Sequence, residues 1–502
     1  MYRPLVTISE STRDSAAGID TQARMSRSPT DTVTQKRKVS CLNNEDYRPT
    51  IAIIGAGIGG LGAALSLQSH GFAVKVYERD SCFHDRRQGF GLTLTNNNKG
   101  PLAKLGILED CIKEDCASNS HWVFNPNGSI LGYYGRKFIN YDNKKCKETS
   151  GINHKHRGNL RIPRQNLRKM LLDRLHPDTV QWGYKLETFE ESLDNVKLVF
   201  SRTITNHREE IITDIVIGAD GIRSVVRKIR DDMDQQNGEN VIHPLKYIGV
   251  AVILGLSTLK HPLINQRGFY VLDGVNRLFT MPFQEEDIPN KQQLTMWQLS
   301  FSDIDEADAV NFKVASPSQL LEKALAKTEK WMSPVSEMIA STKLDEVWGT
   351  AIFDRDGMNV YSHKKQGKGK LPPYKSRVTL LGDGCHPQSM FKGFGANQAL
   401  EDGPLISMWL SKPGLSKDNI CSRLRSFERE MVGRTTPKVL ASRTAAKRLH
   451  SSDVMSDNFG IEGLSEDVTK QLLDHLEANN ITINSVEDME DFVLKYLATQ
   501  SV

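Results

Sequence analysis

The chain has 502 residues, of which 38% are hydrophobic and 25% are charged. This composition is typical of a packed globular protein with roughly two to four domains, and it excludes a disordered chain. The net charge of +4 is too small to indicate nucleic-acid binding, and no basic stripe with interleaved aromatic residues occurs.

Seven cysteines occur without a C-x-x-C pair. The closest two, Cys111 and Cys116, have no second pair or histidine cluster to complete a metal site. We therefore expect no bound metal, reduced thiols and a cytoplasmic protein.

Residues 1–48 are rich in serine, threonine, arginine and aspartate without a hydrophobic period, which predicts a disordered tail. Arginines among its hydroxyl residues leave an organellar transit peptide as an alternative, although its acidic residues argue against one. The longest apolar stretch, from Ile51 to Leu67, is glycine-rich and shorter than the ~20 residues of a membrane span. No transmembrane anchor is expected.

A strand, a glycine turn, a helix and a second strand are predicted between Ile51 and Glu78. In the G-x-G-x-x-G spacing, Gly55 allows the tight turn, Gly57 lets a pyrophosphate approach the backbone, and Gly60 lets the helix pack closely. The helix N-terminus offers N–H groups to phosphates. Glu78 falls where a carboxylate accepts hydrogen bonds from an adenosine ribose, which favours FAD or NAD over NADP.

Glycines at positions 89 and 91 indicate that the chain passes close to a ligand before a short strand. A helix is then predicted from Arg161 to Leu175, entered through Pro163. Arg164 lies in its first turn, where the helix dipole disfavours a cation. This position suggests an anionic or carbonyl partner, while a solvated surface arginine is the simpler interpretation.

Three strands, Val180–Gly183, Val196–Ser201 and Glu210–Ile217, are predicted to form a small antiparallel sheet. Asp220 and Gly221 then form a tight turn. From Tyr247 to Phe301 the apolar residues alternate, which predicts a mostly antiparallel sheet. Its aromatic residues are expected in the core rather than in a pocket: Phe269, Tyr270, Phe279, Phe283, Trp297 and Phe301.

Another buried strand is predicted in Arg377–His386, and a glycine turn followed by a helix in Gly393–Asp402. Pro404 is expected to kink or restart that helix because it lacks a donor and crowds a preceding carbonyl. A basic helix is predicted over Ile420–Leu449, and an acidic helical segment from Ser465.

Three separated segments together resemble the FAD-dependent aromatic hydroxylases, the single-component class A flavoprotein monooxygenases. They are the glycine motif of residues 55–79, a D-G motif in residues 214–227, and a G-D motif with a glycine turn in residues 380–403. Residues 161–167 and 353–357 are similar to two further family segments. Gly384-Cys385, Met390 and Gly403-Pro404 depart from the family pattern, which bears on pocket shape and loop rigidity.

The resemblance implies an α/β fold. A Rossmann-like FAD domain, discontinuous in sequence, carries an inserted, mostly antiparallel substrate domain and is followed by a helical C-terminal extension. The expected boundaries are 1–48 for the tail, about 49–110, 158–235 and 375–435 for the FAD domain, about 111–157 and 236–374 for the substrate domain, and 436–502 for the extension.

The resemblance also assigns roles to the matched residues. Asp383 would accept hydrogen bonds from the ribityl hydroxyls, and Arg164 would contact the flavin. The helix from Ala396 would direct its N–H groups and dipole at the flavin. Asp220 would assist interactions with the cofactor and NAD(P)H, whereas His386 and a catalytic base stay unassigned. The predicted cofactor-binding residues are Gly55, Gly57, Gly60, Glu78, Arg79, Gly91, Arg164, Asp220, Asp383, Gly393, Gly395, Ala396 and Asn397.

By resemblance, NADPH or NADH reduces the flavin, O2 adds to it, and a flavin hydroperoxide hydroxylates or epoxidises a small aromatic or heteroaromatic substrate. A flavin-dependent halogenase is an alternative, although no W-x-W-x-I-P segment occurs. An NAD-dependent dehydrogenase would explain the first motif alone, and a catalytically silent FAD-binding protein would keep all three. The sequence leaves the oligomeric state open.

Overall fold

A computed structural model describes most of the chain from Tyr47 onward. The described residues are 47–85, 90–116, 118, 120–135, 158–236, 244–265, 267–284, 293–356, 376–455, 459, 464, 466–479, 491–493 and 495–496. The predicted disordered tail lies outside the described residues except for its last two positions, and Gly89 also lies outside them.

The strands are β1 (Thr50–Ile54), β2 (Ala73–Glu78), β3 (Gly91–Thr95), β4 (Ser120–Phe124), β5 (Ile130–Gly135), β6 (Asn159–Pro163), β7 (Val180–Trp182), β8 (Tyr184–Glu191), β9 (Val196–Arg202), β10 (Arg208–Thr213), β11 (Ile215–Gly218), β12 (Lys246–Ser257), β13 (Gly268–Leu272), β14 (Asn276–Gln284), β15 (Leu294–Phe301), β16 (Trp348–Asp354) and β17 (Val378–Leu380). The α-helices are α1 (Ile58–Ser69), α2 (Pro101–Lys104), α3 (Leu108–Lys113), α4 (Arg164–Leu172), α5 (Val225–Gln236), α6 (Glu306–Asn311), α7 (Pro317–Thr328), α8 (Val335–Ala340), α9 (Gly395–Leu410), α10 (Ile420–Leu449) and α11 (Glu466–Ala478).

The first of the two main sheets is parallel. Its order in the described part of the chain is β17-β11-β1-β2-β7, and every neighbouring pair is parallel. The central strands are continuous apolar runs because helices and other strands cover both faces. Leu61, Leu400 and Leu424, from α1, α9 and α10, are buried in this core. The predicted Rossmann-like unit is confirmed.

A second sheet has the order β16-β12-β15-β14-β13-β4-β5 within the described residues. Its pairs are antiparallel apart from β13 and β4, as the alternation predicted. One face packs against α6, α7, α8 and α11 around buried Trp297, Phe301, Met338 and Leu472. Strands β3 and β6 form a short antiparallel ribbon, and β6 leads directly into α4.

The small antiparallel sheet differs from the predicted one. It has the order β10-β9-β8 among the described residues, and the strand Tyr184–Glu191 was not predicted. Val180–Trp182 instead extends the parallel sheet beside β2. The predicted strand Glu210–Ile217 divides at Asp214, whose carboxylate accepts hydrogen bonds from the N–H and hydroxyl of Thr50, both at 2.8 Å.

Helix α9 runs without interruption from Gly395 to Leu410, so Pro404 does not restart it, and the alternative of a kink stays a prediction. Tertiary packing outweighs the local cost of the proline: Leu400, Gly403 and Ile406 on this helix are buried. Helix α10 runs across residue 435, where the FAD domain was predicted to end and the C-terminal extension to begin. The domain boundaries stay a prediction.

Candidate active site

A large cavity opens between the carboxyl ends of the parallel strands and the second sheet. Its volume is about 2010 Å3, larger than the ~300–1,000 Å3 of sites for single small molecules. The turns after β1, β11 and β17 line one side of it with Gly57, Asp220 and Asp383. The cavity therefore has room for an extended dinucleotide and a second ligand.

The β1–α1 turn contains one open glycine and two packed ones. A Cβ atom at Gly55 would lie 2.6 Å from the carbonyl oxygen of Ala219, and one at Gly60 would lie 2.0 Å from that of Gly55. Gly55 also has a φ of +107°, which favours glycine. A Cβ atom at Gly57 would meet none of the described atoms within 4 Å, and this residue lines the cavity.

Glu78 is buried, with 6% of the residue exposed, and it supports the β1–α1 turn. Its Oε2 accepts a hydrogen bond from the N–H of Ala56 at 2.7 Å. Arg168, which no sequence motif indicated, donates from Nε to the carbonyl of Ala56 at 2.8 Å. Its position one turn after Arg164 on α4 was the available signal. The ribose contact of Glu78 stays a prediction, and the adjacent Arg79 lines the cavity.

Asp220 caps a helix and also lines the cavity. Its Oδ2 accepts hydrogen bonds from the N–H groups of Val225 at 2.6 Å and Val226 at 3.3 Å, at the start of α5. Its Oδ1 is buried with no hydrogen-bond partner among the described residues, and burial raises the pKa of the carboxyl group. A buried acceptor without a protein partner at a cavity wall is a place for a ligand donor.

Asp383 and Arg164 reach the same cavity from distant parts of the chain. Asp383 follows Gly382, whose φ of +55° turns the chain after β17. Burial raises the pKa of Asp383, although His386 and Arg164 oppose that shift. The guanidinium carbon of Arg164 lies 5.5 Å from the ring centre of Phe90.

A buried polar cluster supports the turn that carries Asp383. Asp402 is fully buried and accepts hydrogen bonds from the N–H of Gly382 and from His386 Nε2, both at 2.8 Å. Arg434 pairs with its other carboxylate oxygen. The sequence analysis left His386 unassigned, and it gave no role to Asp402 or Arg434. The cluster joins the turn after β17 to helices α9 and α10.

The N-terminus of α9 opens onto the cavity through Gly393, Gly395, Ala396 and Asn397. Gly393 has a φ of +64°, and a Cβ atom at Gly395 would meet none of the described atoms within 4 Å. The side chain of Asn397 accepts a hydrogen bond from the N–H of Thr95 and donates one to the carbonyl of Thr93, both at 2.9 Å. It therefore joins α9 to β3, where the predicted Gly91 also lines the cavity.

These features fit FAD. Neither α1 nor α9 has a side-chain cap in the described structure, so N–H groups of both first turns are available to ligand oxygens. The two helix ends lie on one cavity, beside Gly57 and Gly395, where a side chain would occupy ligand space. The N-terminus of α1 suits a pyrophosphate, and the N-terminus of α9 suits an electron-rich ring oxygen.

Comparison with known proteins agrees with this geometry. The family model described as FAD binding domain matches residues 48–413. YetM of Bacillus subtilis (strain 168), which is named as an FAD-dependent monooxygenase, is 31% identical over 364 residues, covering 71% of this chain and 82% of that protein.

This chain belongs to the FAD-dependent monooxygenases.

Two further matches extend the comparison. The 3-amino-4-hydroxybenzoate 2-monooxygenase PtnB3 of Streptomyces platensis is 26% identical over 414 residues, covering 81% of this chain and 90% of that enzyme. The crystal structure of Klebsiella pneumoniae HpxO with FAD and uric acid matches with a TM-score of 0.61 at 18% identity, over 89% of this chain and 96% of that one. The predicted fold and FAD cofactor are confirmed, and these relatives do not support the halogenase alternative.

The second sheet forms the other wall of the monooxygenase cavity. Tyr270 and Phe279 face the cavity, so their predicted place in the core is wrong. Phe269, Trp297 and Phe301 lie on the opposite face in the core, as predicted. Alternation along a strand sends successive side chains to opposite faces, but it does not tell which face meets the ligand.

Among the residues that the structure describes, no group of histidine, cysteine or carboxylate side chains could hold a metal ion. No helix in the same residues is long and apolar enough to cross a membrane. Cys111, Cys116 and Cys385 are buried cysteines that form no disulfide with another described residue, and burial raises the pKa of Cys111 and of Cys385 to about 12.

Proposed function

We propose that this monooxygenase hydroxylates a small aromatic or heteroaromatic compound with NADPH or NADH and O2, and that the predicted cofactor residues hold FAD along the cavity. The observation that carries the proposal is the meeting of two uncapped helix N-termini and a large second wall on one cavity. The activity named for PtnB3, on an aminohydroxybenzoate, supports an aromatic substrate. The cytoplasmic location stays a prediction.

Different residues of the chain contact different parts of FAD in this proposal. The open face at Gly57 and the first turn of α1 bind the pyrophosphate, with Arg79 beside them. Asp383 and Arg164 orient the flavin half, and the N-terminus of α9 stabilises negative charge on its pyrimidine ring. Bound FAD supplies electron transfer from the nicotinamide and activation of O2.

The second sheet positions the substrate and excludes water. Tyr270, Phe279 and Trp348 provide apolar surface in the cavity, and Leu449 and Phe459 from the C-terminal part of the chain complete its wall. Burial lowers the pKa of His121 to about 3, so this cavity-lining imidazole is neutral at pH 7. A neutral imidazole can hydrogen-bond a substrate hydroxyl without bringing a charge into the site.

A matched pair of alanine variants tests where FAD binds. Gly57→Ala adds a methyl group that meets only ligand space, so FAD affinity falls at least ~10-fold while the stability of the apoprotein stays within about 0.5 kcal/mol of wild type. Gly60→Ala forces a methyl group against the carbonyl of Gly55, so it lowers the stability of the apoprotein itself. FAD binding is followed by protein fluorescence, and stability by thermal unfolding.

Activity is tested by following the visible spectrum of the FAD-loaded protein anaerobically while NADPH or NADH is added. Reduction that a hydroxylated aromatic compound accelerates, followed by a hydroxylated product once air is admitted, is the expected result. A protein that binds FAD but is never reduced would favour the silent FAD-binding alternative. Equal FAD affinity of Gly57→Ala and wild type would contradict the placement of the pyrophosphate.

A further inference from the structure

A third hydrophobic cluster lies on the cavity side of the second sheet. Strands β12 and β13 contribute Leu254 and Leu272 to it, and the loop before α9 contributes Phe391. The C-terminal part of the chain contributes Leu449 and Phe459. All five side chains line the cavity. The substrate side of the cavity is therefore built from three parts of the chain that are distant in sequence.

The C-terminal contribution lies outside residues 48–413, which the family model matches. Leu449 ends α10, and Phe459 follows the short helical turn Ser452–Met455. The turns proposed to bind FAD all lie within the matched segment. This part of the substrate wall can therefore change without any change to a cofactor-binding residue.

A buried ion pair anchors the second half of α10 to the substrate sheet. Arg443 donates from Nε to Oδ2 of Asp354 at 2.7 Å and from Nη2 to Oδ1 at 2.8 Å. Asp354 is fully buried at the end of β16, and Nη1 of Arg443 donates to Asp356 at 2.7 Å. Two parallel hydrogen bonds between a guanidinium and a carboxylate fix both the direction and the distance of the pair. The helix is thus held in one position on the sheet.

Further contacts hold the same half of α10 between the loop before α9 and the sheet. The Ser389 hydroxyl donates to the carbonyl of Ser442 at 3.0 Å, and the Ser442 hydroxyl donates to the carbonyl of Ser389 at 2.7 Å. The ring centre of His450 lies 5.2 Å from that of Phe391, and His450 Nε2 lies 2.9 Å from the hydroxyl of Ser300 on β15. The segment that leads to Phe459 is therefore fixed on both sides of the cavity.

Phe459 lies against the far edge of the second sheet. Its N–H donates to the carbonyl of Leu131 on β5 at 3.2 Å, and β5 is the last strand of this sheet in the described residues. The guanidinium carbon of Arg448 lies 5.9 Å from its ring centre. The residue is only 7% exposed and lines the cavity. Phe459 therefore forms the cavity wall beside the β5 edge of the sheet.

We propose that Phe459 is a specificity-determining residue that limits the size of the aromatic substrate at the β5 edge of the cavity. The proposal rests on the proposed function and adds a size limit to it. Replacing Phe459 by alanine removes one six-membered ring, and the anchored helix and the sheet resist collapse into the vacated space. The freed volume corresponds to one further fused ring on a substrate. A phenylalanine that only filled the core would lower stability when truncated and leave the substrate range unchanged.

The first test compares one-ring compounds with their fused two-ring counterparts. FAD-loaded protein is titrated with phenol and 2-naphthol, with salicylate and 3-hydroxy-2-naphthoate, and with 3-hydroxypyridine and 3-hydroxyquinoline. Binding is read from the flavin absorption bands, and the ratio of the two Kd values in each pair measures the size limit. In at least one pair, Phe459→Ala should shift this ratio at least ~10-fold toward the two-ring compound. Phe459→Trp, which enlarges the side chain, should shift it the other way.

Phe312→Ala is the matched control. Phe312 is 8% exposed, packs against Phe301 behind the second sheet with ring centres 5.7 Å apart, and does not line the cavity. Its truncation also removes a buried ring and lowers stability, but the ratio of Kd values should stay at the wild-type level. Phe459→Leu, which keeps an apolar side chain of intermediate size, should give a smaller shift in the same direction as Phe459→Ala. It replaces the alanine variant if that variant loses FAD.

Turnover provides a second readout. With the nicotinamide that reduces the flavin and with O2, Phe459→Ala should raise kcat/KM for the two-ring compound at least ~10-fold relative to its one-ring partner. Mass spectrometry should then identify the hydroxylated two-ring product. Phe312→Ala should show the wild-type preference in the same assay.

Equal Kd ratios in wild type, Phe459→Ala and Phe459→Leu, or shifts of the same sign in Phe459→Ala and Phe459→Trp, would overturn the proposal. Failure of the proposed function has different signatures. Wild type that binds none of the one-ring compounds would remove the aromatic substrate class and the size limit together. Binding without reduction of the flavin by NADPH or NADH would contradict the reaction alone, because the size limit is read from binding.

Discussion

At the scale of single residues, Asp402 supports the site although the sequence analysis assigned it no role. It is a fully buried carboxylate that accepts hydrogen bonds from Gly382 and His386 and pairs with Arg434. Burial alone would raise its pKa, but these partners hold the pKa of Asp402 below its ordinary value. The cluster fixes the turn on which Asp383 reaches the cavity.

Asp402→Asn should lower the free energy of unfolding by roughly 3–5 kcal/mol at pH 7, because it leaves Arg434 and His386 without their shared anion. The folded-state pKa lies below the unfolded value of about 3.9, so this stabilisation is fully present above that pH and is lost as the pH falls through the folded pKa. The gap between wild type and Asp402→Asn in denaturant unfolding should therefore narrow below about pH 4.

Asp303→Asn provides the surface comparison. Asp303 is half-exposed and pairs with Lys327 at 2.7 Å, so its replacement should cost less than about 1 kcal/mol. An equal cost for the two variants, or a gap that is no smaller at pH 3 than at pH 7, would contradict the assigned role of Asp402.

At the scale of elements, α9 combines close packing with a helix-breaking residue. A Cβ atom at Gly403 would lie 2.8 Å from the carbonyl oxygen of Gly62 on α1. Pro404 follows inside the helix and cannot donate to the carbonyl of Leu400. The helix is nevertheless continuous, because burial against α1 stabilises it along its length.

Pro404→Ala should raise the free energy of unfolding by about 1–2 kcal/mol, since the restored N–H outweighs the entropy that alanine returns to the unfolded chain. Gly403→Ala, one residue earlier, should lower it by about 1–3 kcal/mol because α1 and α9 would have to separate. Thermal unfolding of the two variants beside wild type measures both changes. Stabilisation by Gly403→Ala would contradict the close approach of these helices.

At the scale of the whole molecule, the two largest hydrophobic cores of the described residues flank one cavity. The first surrounds the parallel sheet, and the second lies behind the antiparallel sheet. Helix α11, beyond the segment matched by the family model, contributes buried Leu472 and Leu476 to the second core. The C-terminal extension is therefore part of the support for the substrate wall.

Leu472→Ala should lower the free energy of unfolding by about 2–4 kcal/mol, because it leaves a cavity in the second core. FAD content should stay at the wild-type level, since the cofactor turns belong to the first core. The neighbouring exposed Gln471→Ala should stay within about 0.5 kcal/mol of wild type. Loss of FAD from Leu472→Ala at moderate temperature would show that the two cores do not act separately.

The sequence alone determined the α/β class, the glycine turn and the motif positions, because these depend on local spacing: Gly55 turns the chain and Gly60 packs the helix closely, as predicted. It also indicated the antiparallel sheet through its alternation. These features are encoded by short segments of the chain, in which a period of two or a fixed glycine spacing indicates one structure.

Only the tertiary structure decided what depends on contacts between distant segments. It turned Tyr270 and Phe279 to the cavity and Phe269 to the core, and it joined Asp402 to His386 and Arg434. Which face of a strand meets a ligand, and whether a charge finds a partner, follows from what packs opposite it, and that information lies hundreds of residues away in the chain.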